Sequence, residues 1–83
     1  MSFKIAFKNS VARDLKRIDK SQAERILKKI ESDLTEKAET FPRLPGKFAG
    51  LRRFRIGDYR VIYSIVSDTA LILRINHRRE SYR

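Results

Sequence analysis

Apolar side chains alternate with polar ones at both ends of this chain and recur at three- and four-residue spacings between them. Phe3, Ile5 and Phe7 alternate with polar or small residues, the period of a short half-buried strand. Val11, Leu15 and Ile18 follow at spacings of four and three. Asn9 and Ser10 precede them as candidate N-caps, so a short helix is predicted. After a turn near Asp19, Ser21-Gln22-Ala23-Glu24 reads as a capping box, and Ala23, Ile26, Leu27, Ile30 and Leu34 form the inward stripe of a longer second helix. Both prolines and two of the three glycines fall in 41–50, which predicts a loop that ends the helix and leads into a sheet. From Leu51 the period returns to alternation, with strands expected at 51–56, 59–66 and 70–77. The expected fold class is α+β: one N-terminal strand, two helices, then a three-stranded antiparallel meander, with the helices packed on one face of the sheet. One domain over 1–83 is expected, without repeats.

The strand register can be read from the turns. Ile56-Gly57-Asp58-Tyr59 fits a two-residue hairpin in which Gly57 supplies a positive φ. Closing it pairs Ile56 with Tyr59, Arg55 with Arg60, Phe54 with Val61, Arg53 with Ile62 and Arg52 with Tyr63. Phe54, Ile56, Val61, Tyr63 and Ile65 then share one face. Leu71, Leu73 and Ile75 are expected to cover that same face from the third strand. A three-residue connection, Ser67-Asp68-Thr69, meets this parity by pairing Val66 with Ala70, Ile62 with Arg74 and Arg60 with Asn76. Arg53, Arg55, Arg60, Arg74 and, if the strand continues, Arg78 then lie on the face away from the helices. Like charges directly opposite on neighbouring strands destabilise a sheet. Such a conflict between Arg55 and Arg60, within a group of five arginines, points to an anion site.

Charge sharpens that picture. The 83 residues carry 20 Lys and Arg against 10 Asp and Glu, a formal net charge of +10, which attracts polyanions. The excess is concentrated in the second half: residues 1 to 41 are net +3 and residues 42 to 83 net +7. The basic residues of the second half are nine Arg and one Lys, and arginine's planar fork binds phosphate through paired hydrogen bonds. With no cysteine, disulfides, thiolate nucleophiles and cysteine-ligated metals are excluded, and a reducing compartment, the cytoplasm, is expected. No apolar run suggests a membrane span or signal peptide, so no membrane partner is expected. A chain this short buries only roughly 60% of its unfolded surface, enough for one modest core.

An arginine-lined face suits RNA cleavage by the RNA's own 2′-hydroxyl. Such an enzyme orients the nucleophile, stabilises added negative charge at phosphorus and handles two protons. Tyr82 and His77 are the titratable candidates. Arg78, Arg79 and Arg83 lie close to Tyr82 in sequence and favour its phenolate. Tyr82 could equally stack on a base or anchor the chain end. Strict alternation points His77 toward the apolar face. No His/Cys cluster or convergent carboxylate pair calls for a metal, and no cofactor is expected. Asp14, Glu24, Glu31 and Glu36 read as solvated helix charges.

Leu44-Pro45-Gly46-Lys47, leading to Gly50-Leu51-Arg52-Arg53-Phe54-Arg55-Ile56, then Gly57-Asp58-Tyr59-Arg60-Val61-Ile62-Tyr63 and the ending His77-Arg78-Arg79-Glu80-Ser81-Tyr82, together resemble the RelE branch of the RelE/ParE toxins of type II toxin–antitoxin systems. The resemblance covers essentially the whole chain and implies the fold just derived. It implies a ribosome-dependent endonuclease that cleaves messenger RNA in the ribosomal A site by metal-independent 2′-hydroxyl attack. The implied partners are mRNA, ribosomal RNA and a RelB-like antitoxin. It assigns Arg53 and Arg55 to phosphate binding, Arg60 and Arg78 to transition-state stabilisation, and Tyr82 to orienting or activating the nucleophile. Arg74, His77 and Arg79 are further candidate RNA contacts. Well-known members carry lysines at the first two positions. Arginine, which holds its proton far above neutral pH, is a poor proton shuttle, which argues against a base role for Arg53 or Arg55 and leaves more weight on Tyr82. The alternatives are a ParE-like inhibitor of DNA gyrase and a non-catalytic nucleic-acid-binding module.

Overall fold

A computed structural model describes residues 2–79, so the expectations for Tyr82 lie outside the described residues. Strand β1 (Lys4–Phe7) leads into helix α1 (Asn9–Lys16) and then α2 (Lys20–Lys29). The second helix continues through a π-helical turn (Ile30–Leu34) into a last turn, α3 (Thr35–Lys37), and β2 (Arg52–Ile56), β3 (Tyr59–Val66) and β4 (Thr69–His77) follow. The four strands form one sheet in the order β1-β4-β3-β2. The α+β class, the helical pair and the three-stranded meander are as expected. The position of β1 is new information: it pairs in parallel with β4, from Lys4 beside Thr69 to Phe7 beside Ile72. Among the described residues no helix is long and apolar enough to cross a membrane.

The helical stripe shows why the π turn is there. Ile26, Ile30, Leu34 and Ala38 are all fully buried, at a strict spacing of four. In an α-helix each four-residue step overshoots a full turn by about 40°, so such a stripe drifts off the core face. The wider π turn takes up this overshoot and keeps Leu34 and Ala38 against the sheet. Their partners are Phe54, Ile56, Val61, Tyr63, Ala70, Ile72 and Ile75, which with Val11 and Phe3 make one core cluster.

Two caps differ from expectation. Asp19, not Ser21, caps α2, because its carboxylate accepts from the Ser21 backbone N–H at 3.2 Å and from the Ser21 hydroxyl. The Ser21 hydroxyl holds this carboxyl below its ordinary value, helped by the Ser21 N–H. Lys8 stands at the N-cap of α1 without a side-chain bond, and the Ser10 hydroxyl donates instead to the Leu73 carbonyl at 2.6 Å.

The first hairpin has the expected register, from Arg52 opposite Tyr63 to Ile56 opposite Tyr59. Gly57, at φ +57°, supplies the positive dihedral at the first central position. The second turn is tighter than expected. Val66 pairs with Thr69 across Ser67-Asp68, with Ser67 at φ +58°, and a bulge follows between Ile62 and Tyr63 on β3, where Tyr63 faces Ile72 and Ile62 faces Arg74. Leu73 is the extra residue. Ala70 and Ile72 therefore face the core before the bulge and Ile75 after it, while Leu71 and Leu73 are only partly buried. This corrects the expected Leu71, Leu73 and Ile75 face. The bulge also restores the expected pairing of Ile62 with Arg74 and Arg60 with Asn76.

Beyond Ile72, no strand among the described residues pairs with β4 on its β1 side, and α1 covers that edge. The Lys8 N–H donates to the Ile72 carbonyl at 2.8 Å, Ser10 donates to Leu73, and the Asp14 carboxylate accepts from the Ile75 N–H at 2.9 Å. An open edge strand invites pairing with other chains, and these contacts close it.

Candidate nucleic-acid interface

The sheet presents its second face away from α1 and α2. Within β2, Phe54 and Ile56 are buried while Arg53 and Arg55 are exposed, the alternation of a strand covered on one side. Across the hairpin Arg55 faces Arg60, and Arg60 in turn faces Asn76 on β4. Arg53 shares a rung with Ile62 and Arg74. Among the described residues, Arg53, Arg55 and Arg60 have neither an ion pair nor a side-chain hydrogen bond. Three guanidiniums on two adjacent strands thus lack a compensating carboxylate, and each presents up to five donors to whatever lies above the sheet.

The neighbouring arginines are differently employed. Arg74 sits on the same rung as Arg53, yet its guanidinium turns to α1 and forms a two-pronged pair with Asp14, Nε to Oδ2 at 3.0 Å and Nη2 to Oδ1 at 3.1 Å. Among the described residues Asp14 is the buried charged one, at 6% exposure, and it also accepts from Ile75. Its expected place on a solvated helix face is corrected by this pairing, since a carboxylate is buried only where donors meet it. Arg52 points to the core side, where its Nη1 donates to the Glu39 and Phe41 carbonyls at 3.1 and 2.8 Å and caps the carbonyls after α3.

The end of β4 is held to the hairpin tip. The Arg78 N–H donates to the Asp58 carbonyl at 2.7 Å, extending the ladder one step past His77, and the Arg78 Nη1 lies 3.9 Å from Asp58 Oδ1. This anchor was not legible as a pair in the sequence, where Asp58 read only as a turn residue. His77 lies on the other side of the strand: its ring meets Tyr59 edge-on at 5.2 Å, beside a cavity of about 200 Å³ lined also by Asp14, Arg17, Ile18 and Ile75. His77 Nδ1 accepts from the Arg79 N–H at 3.2 Å. The structure thus brings Arg53, Arg55 and Arg60 together, anchors Arg78 at the hairpin tip, and turns Arg74 and His77 elsewhere. Among the described residues no three of His, Asp and Glu converge as metal ligands would.

The buried tyrosine of the sheet is structural. Tyr63 is fully buried, and its hydroxyl donates to the Ala38 carbonyl at 2.6 Å. Burial pushes its hydroxyl up to about 12, against a smaller downward pull from Arg52.

A four-stranded sheet with helices on one face and, on the other, guanidiniums that meet no carboxylate among the described residues makes a small basic α+β domain with one strongly cationic face. Over residues 5–82 the sequence matches the family described as the ParE toxin of the type II toxin–antitoxin system parDE. The chain therefore belongs to the RelE/ParE toxins of type II toxin–antitoxin systems. It is similar to a chain of the toxin–antitoxin complex RelBE2 from Mycobacterium tuberculosis, with 27% identity, a TM-score of 0.85 and coverage of 94% of this chain and 93% of that one. The archaeal RelE–RelB complex from Pyrococcus horikoshii OT3 matches with 30% identity and a TM-score of 0.72, covering 94% and 97% of the two chains. A chain of the chromosomal ParDE system of P. aeruginosa shares the fold, with 17% identity, a TM-score of 0.70 and coverage of 92% and 96%. No curated protein matches this chain.

Proposed function

We propose that this toxin is a ribosome-dependent messenger RNA endonuclease of the RelE type, acting in the cytoplasm and neutralised by a RelB-like antitoxin. The observation that carries the reading is the set of uncompensated guanidiniums of Arg53, Arg55 and Arg60 on one sheet face. In the proposed reaction the 2′-oxygen bonds to the adjacent phosphorus while the bond from phosphorus to the 5′-oxygen breaks. The products are a 2′,3′-cyclic phosphate and a new 5′-hydroxyl. Arg60 and Arg78 stabilise the charge that builds on the phosphoryl oxygens, and Arg53 and Arg55 hold the flanking phosphates. Tyr82 orients the 2′-hydroxyl or, as its phenolate, takes that hydroxyl's proton, and the departing 5′-oxygen takes its proton from water to become the 5′-hydroxyl. Each of these roles lies within the chemistry of arginine and tyrosine, so no metal is called upon. Arg79 is a further backbone contact, whereas the Arg74 guanidinium, held by Asp14, serves chiefly to keep α1 in place.

A second reading, a ParE-like inhibitor of DNA gyrase, is favoured by the description of the family that the sequence matches. One experiment separates the two. The purified toxin is added to ribosomes translating a defined message and new RNA ends are mapped, with Arg78→Ala alongside. Ends at the A-site codon with the wild type and none with the variant are expected. No ends, together with blocked supercoiling in a parallel gyrase assay, would replace the endonuclease by the gyrase reading.

A further inference from the structure

The loop before β2 carries a feature that the arginine face leaves unexplained. Phe48 is 51% exposed; Phe7 and Val66 are comparably exposed, but they sit at β1 and at the β3–β4 turn, whereas Phe48 stands in the basic loop that leads into the arginine strand. The loop holding it is well tied. Segment 42–44 runs antiparallel to the start of β2, with the Leu44 N–H donating to the Leu51 carbonyl at 2.9 Å, the Arg53 N–H to the Pro42 carbonyl at 3.0 Å, and a bridge between Arg43 and Arg52. Between these arms, Gly46 at φ +64° opens a 3-10 turn (Gly46–Phe48), and the Phe48 carbonyl accepts from the Leu51 N–H at 2.9 Å. Phe48 thus stands beyond the end of β2 from which Arg53 and Arg55 run toward the hairpin tip. The Lys47 ammonium lies over its ring, 5.3 Å from the centroid.

An exposed aromatic on a fixed turn, with an ammonium above it and a row of guanidiniums leading away, has the parts of a single-strand nucleic-acid site: a ring for a base, cations for the backbone. We propose that Phe48 is a base-stacking residue, which takes the nucleobase of a single-stranded RNA whose phosphates continue along Arg53 and Arg55. The proposal rests on the reading of the arginine face as an RNA site and adds to it a contact that grips a base rather than a phosphate. Lys47 then neutralises the phosphate attached to the stacked nucleotide.

The chain has no tryptophan, so Phe48→Trp introduces a sole reporter at the site. A short oligoribonucleotide, 2′-O-methylated throughout to block cleavage, is the probe. Its binding is expected to quench the indole emission of the Phe48→Trp variant, and Phe48→Ala is expected to bind it about tenfold more weakly than wild type. An oligonucleotide lacking bases should bind wild type and Phe48→Ala equally. Emission unchanged at saturation, or equal affinity of wild type and Phe48→Ala for the intact oligonucleotide, overturns the proposal. Equal RNA affinity with weakened antitoxin binding in Phe48→Ala overturns it in favour of a protein contact. Quenching without cleavage on ribosomes would leave the stacking intact and remove the endonuclease reading; cleavage without quenching would do the reverse.

Discussion

Arg52 and Arg74 differ from Arg53, Arg55 and Arg60 in what their guanidiniums meet. The first two close on internal acceptors, Arg52 on the Glu39 and Phe41 carbonyls and Arg74 on the Asp14 carboxylate. The other three, one residue or one rung away, meet none among the described residues, and Arg55 and Arg60 face each other directly. The same side chain serves as a structural clamp in one setting and as an unsatisfied cation in the other. Composition alone cannot separate these roles, because both groups contribute equally to the net charge. What separates them is whether the fold supplies an acceptor. Three guanidiniums without an acceptor among the described residues, two of them opposite each other at a cost to the sheet, are the feature on which the proposed anion site rests.

The contrast can be broken most sharply at Arg60. Arg60→Ala is expected to lower cleavage on ribosomes by about 10² to 10³-fold, the loss that follows removal of one charge-stabilising donor. Its thermal midpoint should stay within a degree or two of wild type, or rise slightly as the repulsion with Arg55 is relieved. A variant that unfolds would instead make Arg60 a clamp like Arg74. On the other side, Asp14→Ala is expected to cost about 2 kcal/mol in urea unfolding, because the Ile75 N–H and the Arg74 guanidinium lose their acceptor together. Stability equal to wild type would show that α1 holds the β4 edge without this pair.

Tyr63→Phe is the smallest of the three, about 1 kcal/mol at neutral pH from the lost bond to Ala38. Its pH dependence sharpens the test. A tyrosine in the unfolded chain loses its proton near pH 10.0, whereas the folded one holds it to about 12. The protonated hydroxyl's contribution is therefore complete below pH 10 and is lost as the pH rises toward 12. The stability margin of wild type over Tyr63→Phe should narrow across that range, and a constant margin would contradict the burial argument.

The fold was legible where a local rule and the hydrophobic period agreed. Gly57 and the alternation on either side of it determine the first hairpin to the residue. The first half of β4 is harder, because Ala70-Leu71-Ile72-Leu73 is apolar throughout and offers no parity to read. The tight Ser67-Asp68 turn and the bulge at Leu73 offset one another, so the far end of the strand returned to its expected register by a different path. Asp19 outcompeted Ser21 as a cap because its carboxylate reaches both the Ser21 N–H and hydroxyl. Asp14 read as a solvated helix acid since its reason for burial, Arg74, lies 60 residues away. The arginine face itself was legible, for the hairpin register sets Arg55 against Arg60. The assignments of Arg74 and Arg78 depended on Asp14 and Asp58, contacts that no sequence period encodes.

The most direct measurement of whether the uncompensated arginines form a polyanion site is the salt dependence of RNA binding. Affinity for a single-stranded oligoribonucleotide is followed across ionic strength for wild type and for the variant Arg53→Gln, Arg55→Gln, Arg60→Gln. If each guanidinium neutralises one phosphate, the slope of log affinity against log salt should become shallower by about 2. An unchanged slope, with the variant folded, would mean that RNA binds elsewhere on the molecule, and the arginine face would lose its assigned role.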